Sequence, residues 1–175
     1  VGTFTLSSDT LGSKTTAIGY GALFAQNFTT ATDTYNTAVG HNAGTAVTTG
    51  QYNTLIGADA GDALTTGSSN TAVGYFALSA EDAHGLNTAI GSRALGNQNA
   101  GAVGYNTAVG ADAGLSVTTG VQNTLIGALA GDAITDADFN VAVGYLSLST
   151  DTLGSKSVAI GQTALRNQNF TTATD

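Results

Sequence analysis

Cysteine, proline, methionine and tryptophan are absent from this chain of 175 residues, and charged residues make up only 9% of it. Without cysteine there can be no disulfide and no thiolate metal site. The charged fraction is far below the roughly 25% usual for soluble globular proteins. Basic residues are scarcest: Lys14, Arg93, Lys156 and Arg166 stand against twelve acidic residues, for a net charge of −8. Phosphate backbones are bound by clustered Lys and Arg. Four scattered cations make no obvious cluster, which argues against nucleic acid and an anionic membrane surface as partners. No apolar run approaches the ~20 residues that a membrane-spanning helix needs. Large core residues are also few, because much of the 42% hydrophobic content is alanine.

What is present is small and repetitive. Glycine supplies 24 residues, a poor start for a compact globule and a good one for thin, identical layers. The segments "NTLIGADAGDALTTG" (53–67) and "NTLIGALAGDAITDA" (123–137) are nearly the same text. The glycine closing the N-[TV]-[AL]-[VI]-G motif falls at Gly2, Gly19, Gly40, Gly57, Gly74, Gly91, Gly110, Gly127, Gly144 and Gly161. The steps are 17, 21, 17, 17, 17, 19, 17, 17 and 17, so ten repeats of basic length 17 account for the chain. Positions below are counted from this marker glycine. At +4 the residue is Leu or Gly in alternating pairs: Leu6, Leu23, Gly44, Gly61, Leu78, Leu95, Gly114, Gly131, Leu148, Leu165. Four repeats therefore make a superunit, near 36–105 and again near 106–175. A longer period lies over it, since "DTLGSK" at Asp9–Lys14 returns at Asp151–Lys156. Residues 1–175 read as one continuous domain. The opening "VGTFTLS" aligns with Val143–Ser149, so the chain is expected to be a segment of a longer protein.

Each repeat holds one β-branched stretch bounded by Asn and Gly, the mark of a short strand. Glycine every few residues argues against helix, at ~1 kcal/mol each relative to alanine. A second extended piece is expected around "ADAGDAL" or "YFALSA". The predicted fold is all-β: a parallel β-solenoid of ten coils with two short strands per coil of ~17 residues, about 48 Å long at ~4.8 Å per coil. The extra residues after Gly19 and Gly91 fall in loops between coils. Strand alternation separates two faces. Positions −3 and −1 (Thr with Val or Ile) are assigned to the inside of the roll. Position −2 is Ala17, Ala38, Leu55, Ala72, Ala89, Ala108, Leu125, Ala142 and Ala159. A strand apolar on both faces is normally covered on both, so this second face is expected to meet another subunit. Asn36, Asn53, Asn70, Asn87, Asn106, Asn123 and Asn140 at −4 predict a ladder of stacked amides at the turn into the strand.

The motif N-[TS]-[AV]-[VI]-G-x-x-A-[LG], with "SVAIGQTAL" at 157–165, resembles the head repeats of trimeric autotransporter adhesins, and is similar to repeats in phage tail fibres. The resemblance covers all ten repeats. It implies a left-handed parallel β-roll, three copies joined about a threefold axis, with position −2 turned towards the partners. The repeat length here is greater than is common in that family, which bears on loop geometry.

Candidate chemistry is sparse. His41 and His84 have no Cys or second His at ligand spacing. Asp59, Asp62, Asp112 and Asp132 recur in phase but lack a calcium-loop motif. Glu81 and Asp82 read as tolerant loop positions. The glycines of "GNQNAGAVGYNTAVGADAG" lack the lysine and context of a phosphate loop. No catalytic set stands out, so the chain is not read as an enzyme, and neither metal nor cofactor is expected. The "TTG" motifs at Thr48–Gly50, Thr65–Gly67 and Thr118–Gly120, with Thr29–Thr30 and Thr171–Thr172 nearby, could bind ice only as a continuous array. Other coils interrupt them. Tyr20, Tyr75, Tyr105 and Tyr145 form an equally broken aromatic row. The expected role is a structural segment of a long extracellular trimeric fibre on a cell or virion surface, projecting a binding tip. Any host-surface ligand is assigned to other regions, and no membrane contact to this segment. A tail-fibre shaft or secreted filament is the alternative, and an ice- or glycan-binding solenoid stands behind both.

Overall fold

A computed structural model describes residues 1–170, 172 and 173. Its strands, in chain order, are β1 (Gly12–Ser13), β2 (Thr16–Ile18), β3 (Thr32–Asp33), β4 (Thr37–Val39), β5 (Thr54–Ile56), β6 (Thr71–Val73), β7 (Thr88–Ile90), β8 (Thr107–Val109), β9 (Thr124–Ile126), β10 (Val141–Val143) and β11 (Val158–Ile160). Strands β2 and β4 to β11 form one parallel sheet and lie in it in sequence order, so each pairs with the repeat before and after it. Their register is one repeat per step: Thr37 opposite Thr54, Leu55 opposite Ala72, Val73 opposite Ile90. The chain is an all-β parallel solenoid. The short strands β1 and β3 pair with each other at its edge. Strand β3 lies in the longer, 21-residue repeat after Gly19. The repeat marked by Gly2 adds no strand to the nine-stranded sheet, and its first turn stacks on the next coil through Gly21 N–H to Thr3 O at 3.0 Å.

Every marker glycine has φ between +120° and +150°. A Cβ on Gly40 or Gly57 would run into the carbonyl of the marker glycine one coil on. Close backbone approach together with a positive φ leaves only glycine at this position.

The second strand expected in each coil is not there. Positions +1 to +6 form consecutive turns, with left-handed residues at +2 and +4, as in Phe76 (φ 52°) and Leu78 (φ 52°). A left-handed residue at every second position breaks an extended run. Hydrogen bonds between coils nevertheless continue round the turn: Leu23 N–H reaches Ala43 O, and Leu95 N–H reaches Ala113 O, both at 3.0 Å. The stretch keeps the solenoid's pairing without strand geometry.

The interior is built from positions −2, +3, +4 and +7. Ala38, Leu55, Ala72, Ala89, Ala108, Leu125 and Ala142 at −2 are 0% exposed in the single chain, and with Ala17 and Ala159 they belong to its hydrophobic core. This corrects the assignment of −2 to a subunit interface. So short a coil encloses a narrow space that alanine fills. Threonine there would bury a hydroxyl without a partner, so Thr and the larger Val and Ile face outward. The Leu/Gly alternation at +4 follows from the same limit. A Cβ on Gly44 would lie 2.6 Å from Leu55 Cδ1, and one on Gly61 would lie 2.8 Å from Leu55 Cδ2. Leu125 fills the gap between Gly114 and Gly131 in the same way. Where +4 is leucine, −2 is alanine.

Candidate functional surface

The outward face of the sheet presents Thr or Val at −3 and Ile or Val at −1. Ile56, Ile90 and Ile126 are 38–39% exposed, Ile18 47% and Ile160 69%. Seven consecutive coils carry threonine at −3: Thr16, Thr37, Thr54, Thr71, Thr88, Thr107 and Thr124. No charged residue occupies either column. Aromatic residues flank the face. On one edge, position −5 holds left-handed Tyr35, Tyr52, Tyr105 and Phe139, all exposed. Tyr35 and Tyr52 stack at 5.6 Å between ring centroids. Lys14 lies 5.0 Å over the Tyr35 ring and 2.6 Å from Asp33. Its hydrogen bond to Asp33 holds the ammonium pKa above, and the carboxyl pKa below, the ordinary values. On the other edge, position +1 holds Tyr20, Tyr75 and Tyr145, with His41 stacked on Tyr20 at 5.4 Å. The four tyrosines read as one row thus divide between two edges, with Tyr105 apart from the other three.

The asparagines at −4 are buried in a ladder, but the amides bond to backbone and not to each other. Asn36 Oδ1 accepts from Asn53 N–H at 2.9 Å, Asn53 Oδ1 from Asn70 N–H at 2.9 Å, and so on up to Asn140 Oδ1 and Ser157 N–H at 2.8 Å. Each Nδ2 donates to a carbonyl in the turn ahead, as Asn53 does to Gly67 O and Asn123 to Ala137 O, both at 2.9 Å. Asn87 is the exception: its Nδ2 is buried without a partner. The two residues inserted after Gly91 shift the carbonyl that the other coils provide, and Asn87 Oδ1 accepts from both Asn106 N–H and Gln98 Nε2 at 3.1 Å, which does nothing for Nδ2.

The first threonine of each "TTG" is engaged within the coil stack, while the second, Thr49, Thr66 or Thr119, is exposed. Thr65 Oγ1 donates to Asp82 O at 2.8 Å and Thr48 Oγ1 to Thr65 O at 3.2 Å. Thr171 lies outside the described residues. The regular threonine column is the one on the sheet.

The recurrent aspartates separate into two kinds. Asp59 accepts from Asn42 at 3.2 Å and lies 3.7 Å from His41, while Asp112 holds Arg93 through two bonds of 2.7 and 2.8 Å. Asp62 and Asp132 each bury one carboxylate oxygen without a partner. Desolvation raises both pKa values, helped by the neighbouring charge of Asp59 or Asp112. Glu81, read as a loop residue, is fully buried. His84 sits beside it, its Nδ1 3.3 Å from Glu81 Oε1. Sequence spacing missed this contact, because it pairs histidine with a second His or Cys and not with a carboxylate. The signal available was that this coil departs from its siblings at three positions together.

Among the described residues no helix is long and apolar enough to cross a membrane. Comparison of the chain with protein-family models, curated proteins and solved structures finds no match.

Proposed function

We propose that this chain is a structural segment of an extracellular fibre, in which copies of it, three by the repeat resemblance, associate through their sheet faces and hold a binding region away from a cell or virion surface. The observation that carries the reading is the outward face of the nine-stranded sheet, uncharged at −3 and −1 over its whole length. Parallel strands are normally covered on both faces, and here the chain covers only one. From the −5 tyrosines to the +1 tyrosines the strip is roughly 16–20 Å wide and about 43 Å long at ~4.8 Å per strand. Roughly 700–850 Å² per chain is what a stable protein–protein interface uses. No acidic residue lies on the strip, and its two lysines, Lys14 and Lys156 at −5, sit near its two ends.

The test is the mass in solution, by light scattering after size exclusion, of the natural chain and of Ile56→Asp and Ile126→Asp. Three chains per particle, falling to one in the variants with the far-UV spectrum retained, is the expected result. A monomeric natural chain would sink the proposal. A second reading would then take over, favoured by the unbroken threonine column: the flat Thr–Ile/Val array, spaced about 4.8 Å along the rod, binds an ordered surface such as ice. Thermal hysteresis lost in Thr71→Tyr would support that reading.

A further inference from the structure

We infer that the coil from Gly74 to Gly91 carries a binding site for one divalent first-row transition ion of the zinc type, formed by Glu81, Asp82 and His84. One donor atom from each of the three lies within 4.8 Å of the others. The comparison that isolates the site is internal. Two sibling coils have Asp9, Thr10 and Gly12, or Asp151, Thr152 and Gly154, where this coil has Glu81, Asp82 and His84. In all three, the first carboxylate accepts the backbone N–H of the third residue: Asp9 from Gly12 at 2.9 Å, Asp151 from Gly154 at 3.0 Å, Glu81 from His84 at 3.0 Å. The loop is therefore built the same way, and the three changes act on what it presents.

In the siblings, the second carboxylate oxygen is held by a glutamine of the next coil, Gln26 on Asp9 at 2.5 Å and Gln168 on Asp151 at 2.7 Å. On Glu81, Gln98 and the Ala100 N–H both stand off at 3.5 Å. A fully buried carboxylate is left loosely satisfied, an expensive arrangement unless something else binds it. Glycine has meanwhile become histidine. The His84 Nδ1 atom is buried and makes no hydrogen bond, although Glu81 Oε1 is 3.3 Å away. Two ligands each about 2.0–2.1 Å from a tetrahedral ion stand about 3.3 Å apart, so the unpaired nitrogen and the carboxylate already have ligand spacing. Asp82 is exposed and free to turn its carboxylate in. A cleft of 320 Å³ that includes Thr66, Ser68, Ala83 and His84 in its lining runs beside the triad, and water would complete the coordination. One imidazole nitrogen with two carboxylates suits zinc and its neighbours rather than calcium or magnesium, which take oxygen ligands.

The experiment is calorimetric titration of the full chain with zinc chloride, repeated on the triple variant Glu81→Asp, Asp82→Thr, His84→Gly, which restores the sibling triplet. One zinc per chain in the natural protein, with a thermal midpoint that rises with zinc concentration, and at least tenfold weaker binding in the variant, is the expected result. No uptake by the natural chain, equal uptake by the folded variant, or equal binding of magnesium would each overturn the inference. Should the triple variant not fold, His41→Ala decides. It leaves a single histidine, whose imidazole proton resonances must move on adding zinc. If they stay still, the site does not exist.

Discussion

Replacing Leu55 by alanine tests the architecture most directly. Leu55 is fully buried, and its two methyl groups occupy the space over Gly44 and Gly61, where added Cβ atoms would lie 2.6 and 2.8 Å from them. Leucine-to-alanine changes in cores cost about 2–5 kcal/mol, more where the surroundings cannot collapse. Here two of the positions beneath it are glycines, with no side chain to move in, so Leu55→Ala belongs in the upper half of that range. Gly61→Ala alone is also destabilising, since its φ is +57° and its Cβ would strike Leu55 and Leu64. In the Leu55→Ala background one of those collisions disappears, so the second substitution costs less than it does alone. The assay is urea denaturation of the four proteins at one fixed concentration, since association shifts apparent stability. Strict additivity in the cycle, or a loss below about 1 kcal/mol for Leu55→Ala, would falsify the core assignment and return position −2 to the outside.

Three further outcomes are expected. Asn53→Asp removes a donor from Gly67 O and places a charge in the buried ladder, whereas Asn87→Asp removes an Nδ2 that has no partner; the second should therefore lower the urea midpoint less than the first. At Asp62 and Asp132 the folded-state pKa is raised above the unfolded one by desolvation. The sign is then destabilising above the folded pKa, and the penalty is relieved as pH falls through it towards the ordinary carboxylate value. Asp62→Asn and Asp132→Asn should thus raise the thermal midpoint at neutral pH and lose that advantage below about pH 4, near the usual aspartate pKa; an advantage that persisted there would point to packing instead. Finally, Leu125→Asp should abolish the far-UV spectrum of the folded chain, because it buries an unpaired charge inside the coil, while Ile126→Asp, one position on, should leave the spectrum intact.

That last pair marks the boundary between what was legible in the text and what was not. The short repeat, the marker glycines and the β-branched triplets sufficed to give strand, stacking and solenoid, because a coil paired above and below itself must recur in phase. The same alternation named two faces of the strand, Thr54 and Ile56 on one and Leu55 on the other. Which face is inside depends on the width of the coil, and width is set by the turns after Gly57, where left-handed residues stand in place of the second strand. Nor could spacing show that Glu81 is buried, or that His84 meets it, since that contact is made by a turn closing on itself. Sequence by itself determined the period and the parallel stack. Only the closed coil decided that alanine lies within and that threonine, isoleucine and tyrosine are left on the outside.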